Sequence, residues 1–393
     1  MRRIAVVTVG RSDYGLYLPI LRRLQRDPEL VLQLIVAGMH LSPEFGLTVG
    51  EIETDGFEVT ERVEMLLSSD TPAGIAASMG LGTLRFGEVY ARRRPDLLVV
   101  LGDRFEMHAA TLAALPFKLP VAHIHGGEIT EGAFDDALRH SMTKLSHLHF
   151  VATEEYRARV VQMGEEPWRV VVSGAPSLDT IRGLEPMPPG ALAGELGLPA
   201  DVAPILVTYH PVTLEAERTE WQVRELLQAL RAFDLPMVFT GPNADTGGRI
   251  IAAAIETFVA ERPLARFVTS LGTPRYLSLM AQAAAMVGNS SSGIVEAPSF
   301  GLPVVNVGTR QAGRVRAANV IDVGYGREEI ARALTRALAP EFRAGLTGLR
   351  NPYGDGHAAD VIVKRLKEIA LDDRLVVKRF ADAPALVYQQ EPV

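Results

Sequence analysis

Short apolar runs recur along this chain with a helix-periodic segment between each and the next, and no other feature narrows its possible folds so far. RIAVVTVG, VLQLIVAG, DLLVVLGD, LPVAHIHGG and HLHFVAT are too continuously apolar for strands that show one face to water. About 20 to 40 residues separate each from the next, which is room for a crossover helix. Strands buried on both faces and joined by helices predict a parallel, doubly wound sheet. A second series follows: PILVTYHP, LPMVFTGPN, RFVTSLG, AAMVGNSSSG, LPVVNVG and NVIDVG. Between the two lies RGLEPMPPGALAGELGLPADVAP, whose proline and glycine content reads as a connection. With 393 residues, 47% of them hydrophobic, the chain can bury two cores. The expected organisation is an α/β chain of two Rossmann-type domains, 1–177 and 204–355, with a linker at 178–203. A C-terminal helix and tail, 356–393, is expected to pack back across the domain junction, its helix spaced by Val361, Ile362, Leu366 and Ile369.

Charge and composition exclude several functions. The net charge is −7 with acidic residues scattered throughout, so no electrostatic footprint for nucleic acid or an anionic membrane exists. Arg92 to Arg94 read as the solvated end of a helix. No cysteine is present, which excludes disulfides, thiolate metal sites and a thiol nucleophile and suits the cytoplasm. The apolar run after Met1-Arg2-Arg3 is too short for a secretion signal, and none approaches the roughly 20 residues of a membrane span.

In open α/β sheets ligands bind beyond the carboxyl ends of the strands. The polar clusters VGRSDYG, GDRFE, HGGE, YHPVT, GPNADTGG and GNSSSG all fall at such ends, and two facing domains would turn them into a cleft. GNSSSGIVEAPSFGLPVV gives small residues and hydroxyls at a strand end, then a helix start whose free N–H groups favour phosphate. Ser291, Ser292 and Gly293 are therefore the candidate diphosphate cradle, with Ser290 beside them. Glu296, on that helix, is placed to hold a vicinal ribose diol. A serine-rich helix cap with no ligand is the plainer alternative. Gly10 and Gly15 do not make a G-x-G-x-x-G, so a dinucleotide site finds little support.

GRSDYG, GDRFE, HIHGGE, DDALRHSMTKLSHLHF, YHPVT, NADTGG, GNSSSGIVEAPS, TRQAGRVRAANVIDV and NPYGDG together resemble, in order and spacing, the hydrolysing UDP-N-acetylglucosamine 2-epimerases of bacterial sialic acid synthesis. The resemblance covers about residues 3 to 370. It implies a GT-B-like fold with UDP held mainly by the C-terminal domain. It also implies the reaction in which UDP-N-acetylglucosamine and water give N-acetylmannosamine and UDP through a glycal. That chemistry needs an acid/base group on each face of C2 and stabilisation of the departing diphosphate. Carried over residue by residue, Asp103 and Asp135 handle protons at C2, and His210 serves the leaving phosphate or the returning proton. Glu128 is a second base or orients a hydroxyl. Several family members read H-I-E-G-G-E where this chain has His125, so either His125 or Glu128 takes that glutamate's role. Arg11 and Asp13 are expected at the sugar diphosphate, with Asn243, Arg310 and Arg314 as further UDP contacts. No cofactor is required, a divalent cation entering only as a stimulator. The expected partner is the UDP-sugar, with no nucleic acid and no membrane, and the expected assembly is a homo-oligomer, dimer or tetramer. A hydrolysing epimerase of UDP-2,4-diacetamido-2,4,6-trideoxyglucose, used toward legionaminic acid, is the alternative substrate reading. A GT-B glycosyltransferase or a non-catalytic nucleotide-sugar sensor are the readings from other classes.

The histidines invite a rival. His123 and His125 are two apart, hence on one face of a strand, and His140, His147 and His149 follow within 27 residues. Without cysteine or an H-x-x-x-H spacing no metal site is assigned, and His147 and His149 are read as structural. Asp136 is as readily a helix cap or a water-facing carboxylate as a functional group. Glu106 and Asp245 are equally surface residues or ligand contacts. Asp103 follows a buried strand, where a carboxylate is costly unless it has a partner or a task.

Overall fold

A computed structural model of the chain describes residues 1–69, 71–130, 134–242, 247–269 and 271–382. Seven strands form the first sheet: β1 (Arg2–Thr8), β2 (Leu30–Ala37), β3 (Val59–Val63), β4 (Leu97–Leu101), β5 (Val121–Ile124), β6 (Leu148–Val151) and β7 (Val170–Val172). Every pair is parallel, in the order β3-β2-β1-β4-β5-β6-β7. Six more form the second: β8 (Ile205–Thr208), β9 (Met237–Thr240), β10 (Ala265–Val268), β11 (Ala285–Gly288), β12 (Val304–Val307) and β13 (Val320–Val323). Their order, β10-β9-β8-β11-β12-β13, repeats the first sheet without its last strand. Both sheets are Rossmann-type, as the rhythm of apolar runs predicts. In each, the strand order reverses at one place, between β1 and β4 and between β8 and β11, where a crevice opens for ligands.

β4, β5 and β6 are buried at every residue, which is why β4 is purely aliphatic and the only polar residues in β5 and β6 are the buried His123 and His149. β3 was not expected as a strand, and its composition explains why. It is an edge strand, VTERV, with a single buried residue, and a register shift interrupts its pairing with β2. Its Glu61 meets Arg92 and Arg93 at 3.1 and 2.6 Å, and both arginines stay exposed at the end of the helix Pro72–Arg93, the solvated helix end expected of them.

The chain divides into two compact units, 1–128 with 135–179 and 356–393, and 129–134 with 180–355. Two short helices, Ser177–Arg182 and Pro189–Leu196, occupy half of the stretch expected as a linker. The helix Ala358–Glu368 belongs to the first unit, where Ala359, Ile362 and Leu366 are fully buried in its core. Asp179 accepts from the N–H groups of Ala358 and Ala359 at 2.8 and 3.1 Å, giving that helix a cap from across the sequence. Arg169, only 1% exposed at its side chain, then donates to the carbonyls of Leu375, Arg374 and Val377. Among the described residues no helix is long and apolar enough to cross a membrane.

Candidate active site

In the first unit the expected residues gather beyond β1, β4 and β5. Gly102 turns the chain out of β4 in the left-handed region (φ +78), and Asp103 follows with its side chain 23% exposed. Arg139, from the helix Asp135–Leu145, is ion-paired with Asp103 and lies 3.9 Å from Asp136. That helix thus brings two carboxylates, Asp135 and Asp136, and a nearly buried guanidinium to the end of β4. Asp136 also sits 3.3 Å from His140, so it is not a free surface carboxylate. Arg104 forks onto Glu106 with two contacts of 3.2 Å, and Glu106 is fully buried. The surface reading of Glu106 fails for that reason: its side chain fills the space beside Gly38, where an added Cβ would stand 3.2 Å from it.

His123 and His125 do not share a face. β5 ends at Ile124, and His125 takes a left-handed backbone (φ +65), unusual for a side-chain-bearing residue, which turns it out of the strand. His123 stays in the sheet and bonds to the Gly102 carbonyl at 2.8 Å, while burial holds its pKa down at about 3 and keeps it neutral. His125 instead donates from Nδ1 to Glu128 at 2.5 Å; Glu128 is 3% exposed, and the opposite nitrogen, Nε2, is buried with no hydrogen-bond partner. A carboxylate that fixes one ring nitrogen leaves the other oriented for proton transfer. His147 accepts from the Val121 N–H at 3.1 Å, and His149 lies 3.0 Å from the buried Glu165.

Beyond β1, Asp13 is 4% exposed. Its Oδ2 accepts from the Thr8 hydroxyl at 2.6 Å and the Val9 N–H at 3.0 Å, and Thr8 continues to His40 and thence to Thr48. Burial raises the Asp13 pKa to about 6, with Thr8 and Val9 opposing. Asp13 therefore braces the loop from within. Arg11, by contrast, is more than half exposed and pairs with the exposed Glu51 at 3.5 Å.

The second unit is built differently. His210 follows β8 and Asn289 follows β11, on either side of the place where the strand order reverses. The Asn289 side chain accepts from the His210 N–H at 2.7 Å and donates to its carbonyl at 2.8 Å, joining the two strand ends. Gly288 permits the approach: its φ is +140, and a Cβ there would lie 1.9 Å from the Thr208 carbonyl oxygen. His210 is buried and its pKa falls to about 3, by desolvation first and the charge of Arg310 second. The Asn289 carbonyl accepts from Gln311 at 2.8 Å and from Arg310 at 3.3 Å, which ties the segment after β12 to the serine loop.

Ser290 is 9% exposed and its hydroxyl accepts from the Ser292 N–H at 3.3 Å. The helix expected after GNSSSG is short. It spans Ser292–Val295, and Glu296 is its C-cap rather than a residue within it. Pro298 cannot supply an N–H, and the chain passes at once into a 3-10 turn, Ala297–Phe300. Ser291, Ser292 and Glu296 are partly exposed, while Gly293 is buried, and a Cβ there would stand 2.9 Å from the Val304 side chain. Arg314 is partly exposed, and Arg316 holds its segment by donating to the carbonyls of Arg314 and Gln311 at 2.6 and 3.0 Å while pairing with Asp322 at 2.7 Å. Asn243 and Asp245 fall outside the described residues. The residues that sequence reasoning missed are Arg139, Arg104, Asn289 and Gln311, partners of predicted groups that no spacing announces. Tyr276 is another; its phenol stands near Ser290, Ser292 and Thr208, with its pKa raised by burial.

A family model described as UDP-N-acetylglucosamine 2-epimerase matches residues 22–367. The chain is 38% identical over 379 residues to the UDP-N,N'-diacetylbacillosamine 2-epimerase (hydrolyzing) of Legionella pneumophila, covering 96% of this chain and 99% of that one. It is 38% identical over 384 residues to the GDP/UDP-N,N'-diacetylbacillosamine 2-epimerase (hydrolyzing) of Campylobacter jejuni, covering 97% and 99%. Its fold matches the crystal structure of UDP-GlcNAc 2-epimerase from Neisseria meningitidis bound to UDP-GlcNAc with a TM-score of 0.80 at 20% identity, covering 93% of this chain and 99% of that one.

Proposed function

The chain belongs to the UDP-N-acetylglucosamine 2-epimerase family, and on that premise we propose that it is a hydrolysing UDP-sugar 2-epimerase whose sugar is N,N'-diacetylbacillosamine, the 2,4-diacetamido-2,4,6-trideoxy sugar. The observation that carries the choice of sugar is the 38% identity, across 96% and 97% of the chain, to two hydrolysing enzymes named for it. UDP-N-acetylglucosamine, the first expectation from the motifs, remains the second reading because the family model bears its name.

The reaction proceeds by elimination and hydration. A base removes the C2 proton, the electrons of that bond form the C1=C2 double bond, and UDP leaves with the electron pair of the C1–O bond. Water then adds its oxygen to C1 of the glycal while a proton reaches C2 from the opposite face. The net change is the UDP-sugar and water to the free 2-epimer and UDP. We assign Asp103 and Asp135 to proton handling at C2. Arg139, ion-paired with Asp103, holds it in place. His125, with Glu128 fixing its Nδ1 side, is the second acid/base group, which divides the role left open between them: the imidazole moves the proton and the carboxylate orients it. His210 receives the departing phosphate through a neutral ring that an arriving anion makes more basic. Ser290, Ser291, Ser292 and Gly293 cradle the diphosphate, Glu296 holds the ribose, and Asn243, Arg310 and Arg314 add contacts to the nucleotide. The absence of cysteine suits a cytoplasmic enzyme.

Comparing kcat/KM for the two nucleotide sugars tests the reading. A site for the trideoxy sugar meets C6 with apolar surface, whereas one for N-acetylglucosamine must satisfy a 6-hydroxyl. A preference of about a hundredfold for UDP-N,N'-diacetylbacillosamine is expected. An equal preference for UDP-N-acetylglucosamine would overturn the choice of sugar, and a disaccharide product would overturn the hydrolytic reaction.

A further inference from the structure

The helix Asp135–Leu145 carries Asp135 and Asp136 in its first turn and Arg139 in the next. Its other end is held by the tail of the chain. The last carbonyls of a helix have no partner within it and must find one outside. Here that partner is Lys378. Its ammonium donates to the carbonyls of Lys144, in the last turn, and of Ser146, just beyond it, at 2.7 and 2.6 Å. It also meets the carboxylate of Glu165 at 2.8 Å. These contacts occupy all three protons of an ammonium, and a cation at this end suits the helix dipole.

Both members of the Lys378–Glu165 pair are drawn well in from the surface. Glu165 is fully buried, with Lys144 at 2.7 Å and His149 at 3.0 Å as further partners. Burial alone would raise its pKa, but His149 and the two lysines outweigh it and hold the carboxyl at about 2. The Lys378 side chain is 20% exposed, and desolvation lowers its pKa against the pull of Glu165. Withdrawing a lysine from water this far is costly, and fastening the tail does not require it. Arg169 already binds the carbonyls of Arg374, Leu375 and Val377. The Ala381 N–H donates to the Gly164 carbonyl at 2.9 Å, and the Phe380 ring lies where a Cβ on Gly164 would stand 2.5 Å from it. What Lys378 adds to these anchors is a grip on the helix.

We propose that Lys378 is a positioning residue for the reaction: it locks the last turn of the helix Asp135–Leu145 to Glu165, so that the first turns present Asp135 and Arg139 to Asp103. The inference rests on the proposed epimerase reaction. A helix of 11 residues is a stiff rod of about 16 Å, so a shift at its last turn is passed to its first. Misplacing a reacting group by about 1 Å costs on the order of a hundredfold in rate. Glu165 is a suitable fixed point because it lies between the helix Glu154–Gln162 and β7, both packed on the same sheet. The last described stretch of the chain thereby acts on the acid/base groups without touching them.

Steady-state kinetics of the full chain test the proposal, with whichever of the two nucleotide sugars the wild type turns over and well below the unfolding temperature of each variant. Lys378→Met is expected to lower kcat by about ten- to a hundredfold, with KM within about threefold and UDP affinity unchanged. The isotope effect for substrate deuterated at C2 should rise, because proton removal then limits the rate. Phe380→Ala, which loosens the tail but spares the ammonium, should stay within about threefold of wild type. The chain has no cysteine, so Lys378→Cys can be alkylated at one place only. 2-Bromoethylamine, which rebuilds an ammonium at nearly the length of lysine, should restore kcat; iodoacetamide, which leaves a neutral amide, should not. Should Lys378→Met fail to fold, Lys378→Arg, with its charge kept and its head broader, must still lower kcat and raise the isotope effect. Unchanged kcat and isotope effect overturn the proposal. So does a loss that Phe380→Ala matches with the isotope effect unmoved, or a rescue by both reagents. A wild type that turns over neither sugar instead overturns the reaction itself, and the positioning role falls with it.

Discussion

The two units place functional groups at the same point of the same fold and stabilise them in opposite ways. In the first, the strand ends hold ionisable groups in pairs: Asp103 with Arg139, Glu106 with Arg104, Glu128 with His125. In the second, the work falls to neutral groups, namely Asn289 and His210 bonded through their amides, Thr208 bonded to Thr240 at 2.8 Å, serine hydroxyls and a backbone that only glycine allows. Paired charges near a reacting carbon can give and take protons. A neutral cradle instead keeps its donors for an anion that brings its own charge. On the proposed function one Rossmann sheet serves the chemistry and the other the binding, and the sequence of side chains after β1, β4, β8 and β11 makes the difference.

The largest effect should come from removing a charge on the chemical side. Asp103→Asn is expected to lower kcat by at least about a thousandfold, the range for a positioned acid/base group, with UDP affinity unchanged by calorimetry. Near-normal turnover would take Asp103 out of the chemistry and leave His125, Glu128 and Asp135 for the same assay. On the binding side, Ser292→Ala combined with Glu296→Ala should weaken UDP by about 2–4 kcal/mol, as for two charge-assisted contacts. Unchanged affinity would mean that the cradle lies elsewhere.

Smaller effects sharpen the contrast. The Asp13 pKa, raised by burial to about 6 from an ordinary 3.8, means that folding holds its proton more tightly than the unfolded chain does. Its contribution is therefore fully present below pH 3.8 and lost as the pH rises through 6. Asp13→Asn should flatten the stability profile over that window and gain on wild type above it, by on the order of 2 kcal/mol in urea unfolding. A profile of unchanged slope would show that Arg104 already neutralises the carboxylate. Last, the His210 pKa, held near 3 by burial, should rise by about one unit or more when UDP binds, read from its ring proton shifts. A fixed pKa would mean that the diphosphate does not approach it.

How much of this was readable beforehand depended on the range of the interaction involved. Aliphatic runs declare central strands because burial on both faces is a local demand, and so eleven of the thirteen strands could be placed from sequence, the exceptions being β3 and β7 at the two edges of the first sheet. β3 escaped because an edge strand carrying Glu61 and Arg62 obeys no such demand. Among site residues, Asp103 and Glu128 stood out as carboxylates at the ends of buried runs. Their partners differ in legibility: His125 is three residues from Glu128, but Arg139 reaches Asp103 over a separation of 36, which only the fold can close. His125 was placed on the strand face because a two-residue spacing presumes extended backbone, and a left-handed φ at that residue breaks the presumption.

The cap that Asp179 places on the helix Ala358–Glu368 sets a timetable for the newborn chain. All seven strands of the first sheet have been translated by Val172, but Ile362 and Leu366, which cover part of that sheet's core, come the better part of two hundred residues later. At roughly 5–20 residues per second the ribosome needs on the order of ten to forty seconds to deliver them. Throughout that interval an apolar strip waits uncovered while the whole second unit is made and is free to fold first. Synthesis rate and chaperone supply therefore bear on the yield of this protein more than on that of a chain whose covering helix follows its sheet directly.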